Sequence, residues 1–355
     1  MKRKLILSLK FVVAVALLLL LFSFIDHEQF PRMLLGAEPL YLILCLLFSL
    51  LMVATSCWKW WLILRLQQQS IPFLRLYRWY FIGYFYSNFL PSNVGGDVVR
   101  AWYVTRQIKS ASIGLISVFA ERFTGIVALL FMAATLPFFL RGPWTVPSVW
   151  IVSILALIIC VFLLAVGMFG QVLIRSSLIR SGVAVLQQLM RAQSPTSPTH
   201  NIWKRTAGLI NRILLQGQTL SSAFRQSPQK AFQVMALTFL FYALTVINVA
   251  LAYRAFGIWP PLREIASVLP TALLVGMVPV SLGNLGIVEG SYVYYFGLAG
   301  MAGELTLLVG LFLRFKMLAL GLIGWIIQLG CPVIPHQNIQ HETTNYGCTD
   351  TEHIT

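Results

Sequence analysis

From Asn88 to Arg100 the chain reads NFLPSNVGGDVVR, which sets helix breakers, a carboxylate and a guanidinium between long apolar stretches. Hydrocarbon penalises all of these, because unpaired backbone and isolated charge both lose their water there. Pro91 has no N–H to donate, and Gly95 and Gly96 open backbone angles closed to other residues. The apolar run before the break, Trp79 to Leu90, is too short to span a bilayer. Residues 79–100 are therefore expected to form a re-entrant hairpin that enters the membrane, breaks and returns. Asp97 either caps the helix that starts there or sits among free amides that, with the positive end of that helix, receive an anionic headgroup. Asn88, Ser92 and Asn93 would add neutral polar contacts, and Arg100 a planar fork of donors suited to phosphate. A second such stretch follows downstream, where Pro279, Gly283 and Glu289 repeat the order of Pro91, Gly95 and Asp97. Broken segments in corresponding halves of a membrane chain point to a transport site.

The remaining charges are few enough to read individually. Of eleven acidic residues, three lie in the loop at 26–38 and three in the tail, which leaves Asp97, Glu121, Glu264, Glu289 and Glu304. Glu121 and Arg122 are adjacent in an apolar run, and helical neighbours diverge by about 100°, so each needs a partner on another element. Arg122, Arg314 and Lys316 are the cations available to Asp97, Glu289 or a lipid phosphate, whether to staple helices together or to hold a ligand. No P-loop lysine follows Gly95-Gly96, no G-x-S-x-G occurs, and the five histidines lie in termini or loops. The five cysteines show no metal spacing. Neither a catalytic residue set, a metal site nor a cofactor is expected.

These residues have to be positioned by membrane helices. The chain is 58% hydrophobic with a mean hydropathy of +0.79, and apolar runs of more than ~18 residues recur throughout. The fold class is all-α: a polytopic helical membrane protein of about 6–8 transmembrane helices with two broken hairpins in an inverted pseudo-repeat. The net charge of +15 is gathered in particular loops, as the positive-inside rule requires, and does not indicate nucleic acid. Residues 1–169 form a first membrane half, in which Leu5–Ile25 reads as a retained first span behind a cytoplasmic Lys2-Arg3-Lys4. Spans follow at about 40–64, 112–140 and 148–169, with Trp58, Trp60 and Trp61 placed as an interfacial belt. Residues 170–230 carry eight basic residues and no acid, and form a cytoplasmic loop. Its apolar stripe, Ile210, Ile213, Leu214, Leu220 and Phe224, suits a helix lying on anionic headgroups. A second membrane half, 231–330, holds spans at about 231–253 and 305–329 around a broken segment at 265–290. The tail, 331–355, is polar and expected to be disordered.

Taken in order, Asn88-x-x-Pro91, Gly95-Gly96-Asp97-x-x-Arg100, Glu121-Arg122-x-x-Gly125, Pro279, Gly283-x-x-Gly286-x-x-Glu289 and Arg314 resemble the lysylphosphatidylglycerol synthetase transmembrane-domain family. Its members are often described as flippase-like. The resemblance covers about Leu5 to Leu329 and implies the movement of a lipid between leaflets. The soluble aminoacyl-transferase domain of full-length members has no counterpart in this sequence, so aminoacylation is not implied. Ser281-Leu282 departs from the more Pro/Gly-rich run expected there.

The leading expectation is a bacterial cytoplasmic (inner) membrane protein, its N-terminus in the cytoplasm, that translocates a phospholipid or another anionic or lipid-linked substrate. Asn88, Pro91, Asn93, Gly95, Gly96, Asp97, Arg100, Glu121, Arg122, Pro279, Gly283, Gly286, Glu289 and Arg314 would line its groove. Partners are membrane lipid, and a second copy or a lipid-synthesis enzyme. Two rivals differ in class. A membrane transferase would need Asp97 and Glu121 as a carboxylate pair facing water, and a scaffold would dock partners on the basic loop.

Overall fold

In the computed structural model the described residues are 35–89, 94–139, 146–175, 198–278, 281 and 284–330, with side chains left out at 89, 166–175, 198–207, 209–211 and 214. The first span, Pro91, Asn93, Pro279, Gly283 and the tail lie outside them. All regular structure among the described residues is helical, and it comprises ten helices. These are α1 Pro39–Leu66, α2 Phe73–Phe89, α3 Gly95–Ile108, α4 Ala111–Phe139, α5 Pro147–Arg175, α6 Pro198–Gln226, α7 Pro228–Ala255, α8 Leu262–Gly276, α9 Ile287–Leu298 and α10 Gly303–Gly330. Helices α1, α4, α5, α7 and α10 are long and apolar enough to cross a membrane. Helices α2 and α3, with 17 and 14 residues, and α8 and α9, with 15 and 12, form two short pairs. At 1.5 Å per residue, each rises less than the ~30 Å hydrocarbon thickness.

The two halves repeat. Each runs long helix, short pair, long helix: α1, α2–α3, α4 and then α7, α8–α9, α10. Their packing repeats as well. The two leading helices, α1 and α7, lie against each other, while α2 packs on α10 and α8 on α4, so each short pair is clasped by the long helix of the other half. The short pairs extend beyond their sequence-based limits, to 73–108 and 262–298 instead of 79–100 and 265–290, because their arms continue as regular helix.

Close backbone approach fixes the first pair. A Cβ on Gly96 would strike the Gly83 carbonyl oxygen and the Ser87 hydroxyl, and one on Gly83 would meet Arg100 Cγ at 2.9 Å. Helices α2 and α3 thus cross at their glycines, as small residues allow in membranes. Gly324 in α10 receives the Phe81 carbonyl in the same way, and Gly321 receives the Asn88 amide, which donates to the Met317 carbonyl at 2.9 Å.

Helix α6 turns the described part of its apolar stripe toward the bundle. Leu220, Ile213 and Phe224 pack against Leu62, Ile63, Leu66, Ile116, Ala120 and Val234 of α1, α4 and α7. The outward faces of α5 and α10 do stay apolar and open, with Ile151, Ile158, Phe162, Phe315, Trp325 and Ile326 all exposed. That distribution belongs to helices in contact with lipid.

Candidate functional site

Asp97 is the third residue of α3, and Arg122 the twelfth of α4. Arg122 Nε and Nη2 donate to the two oxygens of Asp97 at 2.8 and 2.9 Å, a two-point contact that only guanidinium geometry provides. The second half repeats this in register. Glu289 is the third residue of α9, Arg314 the twelfth of α10, and Arg314 Nε donates to Glu289 at 2.5 Å. In both halves the partners are 25 residues apart. The acidic residues were therefore matched correctly from sequence. The glycines were not, because Gly95 opens α3 where Ile287 opens α9.

The two carboxylates differ in detail. Asp97 faces Arg100 at 2.5 Å as well as Arg122. Glu289 reaches back to accept from the Gly286 N–H at 2.8 Å, which satisfies one free amide of the helix start, and it is 1% exposed. Gly286 has φ +80°, a conformation that needs glycine at this entry. At the edges of the break between α8 and α9, the Asn284 side chain donates to the Gly276 carbonyl at 2.6 Å, and Arg314 Nη2 donates to the Asn284 carbonyl at 3.3 Å. Irregular backbone at membrane depth requires such internal pairing.

Beneath Asp97 lies a buried network that sequence reasoning only half found. Glu121 is 3% exposed and takes Arg100 at 3.0 Å, Lys59 at 3.3 Å and the Tyr80 hydroxyl at 3.4 Å. The Arg100 guanidinium lies over Tyr80 at 4.3 Å and Trp60 at 5.1 Å, and its Nη1 is buried with no hydrogen-bond partner among the described residues. Lys59 and Tyr80 were missed. Lys59 sits among tryptophans that read as an interfacial belt, yet Trp60 is fully buried and donates to Ser117 at 3.2 Å. The usable signal was a lysine well inside a span, next to the only span that carries a glutamate in its body. Lys316 pairs with no carboxylate among the described residues and instead donates to Asn248, which bonds the Cys45 carbonyl.

Exposure separates the two levels of the site. Glu121 and Arg100 are sealed, whereas the Arg122 side chain is 52% and that of Asp97 14% exposed. The Arg122 guanidinium lies near the middle of a span, half open to its surroundings and gripped by one carboxylate. The arrangement can bind an anion by exchanging it for Asp97. It does not give the transferase reading the water-facing carboxylate pair it needs, because Glu121 is buried and neutralised by Lys59 and Arg100.

Comparison with known proteins places the chain. The model of the lysylphosphatidylglycerol synthase TM region matches residues 7–324. Two curated relatives, both described as UPF0104 membrane proteins of Methanothermobacter thermautotrophicus, are similar throughout. One is 26% identical over 307 residues, covering 83% of this chain and 84% of the relative, and the other 22% identical over 302 residues, covering 83% and 85%. No solved structure matches. Glu121-Arg122, Asp97, Glu289 and Arg314 all fall inside the matched region, and this multi-pass membrane protein belongs to the lysylphosphatidylglycerol synthase TM-region family.

Proposed function

We propose that the protein is a lipid translocator, in which a headgroup moves along a polar groove between the two short helix pairs while its acyl chains stay in lipid. The observation that carries this reading is the half-exposed Arg122 held by Asp97 in the middle of a span. A phosphate oxygen pair has the same geometry as the Asp97 carboxylate and can replace it on the Arg122 fork. The repeated Glu289–Arg314 pair supplies an equivalent contact in the second half. Asn88, Gly95, Gly96 and Gly286 hold the helix ends around this path, and Pro91, Asn93, Pro279 and Gly283 belong to its two breaks. The membrane is the bacterial cytoplasmic membrane, with the N-terminus in the cytoplasm.

The test is leaflet exchange of a headgroup-labelled phospholipid in vesicles containing the purified protein. Arg122→Ala is expected to abolish exchange while its thermal unfolding stays close to that of the wild type. Unchanged exchange in a folded Arg122→Ala protein refutes the role of this side chain.

A further inference from the structure

The repeat makes the two halves directly comparable, and their charges are unequal. Lys59 is the twenty-first residue of α1, and the twenty-first of α7 is Asn248. Glu121, eleventh in α4, corresponds to Leu313 in α10, and Arg100, three residues after Asp97, corresponds to Tyr292, three after Glu289. The first half thus places three cations, Lys59, Arg100 and Arg122, against two carboxylates, Asp97 and Glu121. Among the described residues the second half sets one cation, Arg314, against one carboxylate, Glu289. Lys316 stands outside this pair, since it donates to the neutral Asn248, whereas Lys59 bonds Glu121 within the network itself.

We infer that the first half is an anion-selective loading station, where one surplus positive charge selects a headgroup of net negative charge, and that Lys59 sets this selectivity without touching the lipid. The second half is the weaker station, from which the headgroup leaves. This rests on the translocator reading and adds to it the charge class of the substrate and the inequality of the two stations. Charge acts through the network. Lys59 and Arg100 together carry one positive charge more than Glu121, and Arg122 is balanced by Asp97, so an incoming phosphate that displaces Asp97 meets a net cation. An Arg100 N–H group buried without a partner among the described residues shows that the network carries more donor capacity than its own carboxylates use. A zwitterionic headgroup brings no net charge and gains nothing from the surplus.

A charge series tests this: Asp97→Asn raises the local charge by one unit and Lys59→Met lowers it by one. Exchange and retention of labelled phosphatidylglycerol (net negative) are compared with those of labelled phosphatidylcholine (zwitterionic), with exchange measured in vesicles and retention by native mass spectrometry. The expected anionic preference falls in the order Asp97→Asn, wild type, Lys59→Met, by roughly tenfold per step. One charge ~6 Å away in an effective dielectric of about 40 gives that factor. A preference unchanged or reversed along the series overturns the inference. If Lys59→Met does not fold, Lys59→Gln, which removes the charge but keeps a donor for Glu121, takes its place in the series. If the wild type exchanges neither lipid yet retention follows the series, the translocator reading fails and the selective site stands. If exchange occurs without charge order, the selectivity fails and the translocator reading stands.

Discussion

Arg122 and Glu121 are neighbours with opposite requirements. Glu121 is sealed among Lys59, Arg100 and Tyr80, so its removal strands two buried cations. Breaking a buried ion pair from one side costs about 3–5 kcal/mol. Glu121→Ala should therefore lower the unfolding temperature of the detergent-solubilised protein far more than Arg122→Ala, whose side chain is half exposed. Equal effects on unfolding would mean that both residues are structural. Arg122→Lys separates charge from shape, because an ammonium cannot make the two-point contact with Asp97. It should retain only a small part of the exchange activity, and full activity would show that charge alone suffices. The sequence made Glu121 and Arg122 legible because carboxylates inside spans are rare. Lys59 was obscured by the tryptophans around it, which carry the same signature whether they sit at an interface or, like Trp60, in the core.

At the scale of elements, the short pairs depend on glycines that allow backbones to touch. Gly324 admits the Phe81 carbonyl from α2, and any Cβ there must push the helices apart. Gly324→Ala is expected to destabilise by about 1–3 kcal/mol, the usual cost of overpacking. Gly290, which would meet nothing within 4 Å, should accept alanine at no cost or with a small gain in helix stability. Chemical denaturation of the two variants in parallel checks this, and equal stabilities would contradict the α2–α10 packing. Chain breaks and long spans were readable from hydropathy and from Pro and Gly. The limits of the short helices were not, because their arms continue past the polar residues that appeared to end them. The stripe on α6 was equally ambiguous, since apolar periodicity does not say whether lipid or protein covers it, and here the bundle covers Ile213, Leu220 and Phe224.

At the scale of the molecule, the repeat fixes which charges talk to each other. Asp97 couples to Arg122, and Glu289 to Arg314, within halves joined through α1–α7, α2–α10 and α8–α4. Double-mutant cycles on stability should give coupling of about 0.5–3 kcal/mol for Asp97 with Arg122 and for Glu289 with Arg314. The cross pair, Asp97 with Arg314, should be additive within about 0.5 kcal/mol. Comparable coupling across halves would dissolve the two-station description. The order of polar residues revealed the repeat, but its register came only from the helices. In sequence the prolines and glycines align differently from the acids.

A wet passage past Arg122 is best tested by labelling. With the native cysteines replaced, Arg122→Cys in sealed vesicles should react with a charged, membrane-impermeant thiol reagent at a rate close to that of a cysteine in a loop. Cysteine at Phe162, on the lipid-facing side of α5, should resist that reagent and accept only an apolar one. If position 122 is as unreactive to the charged reagent as position 162, no aqueous groove reaches the Asp97–Arg122 pair and the transport account is wrong.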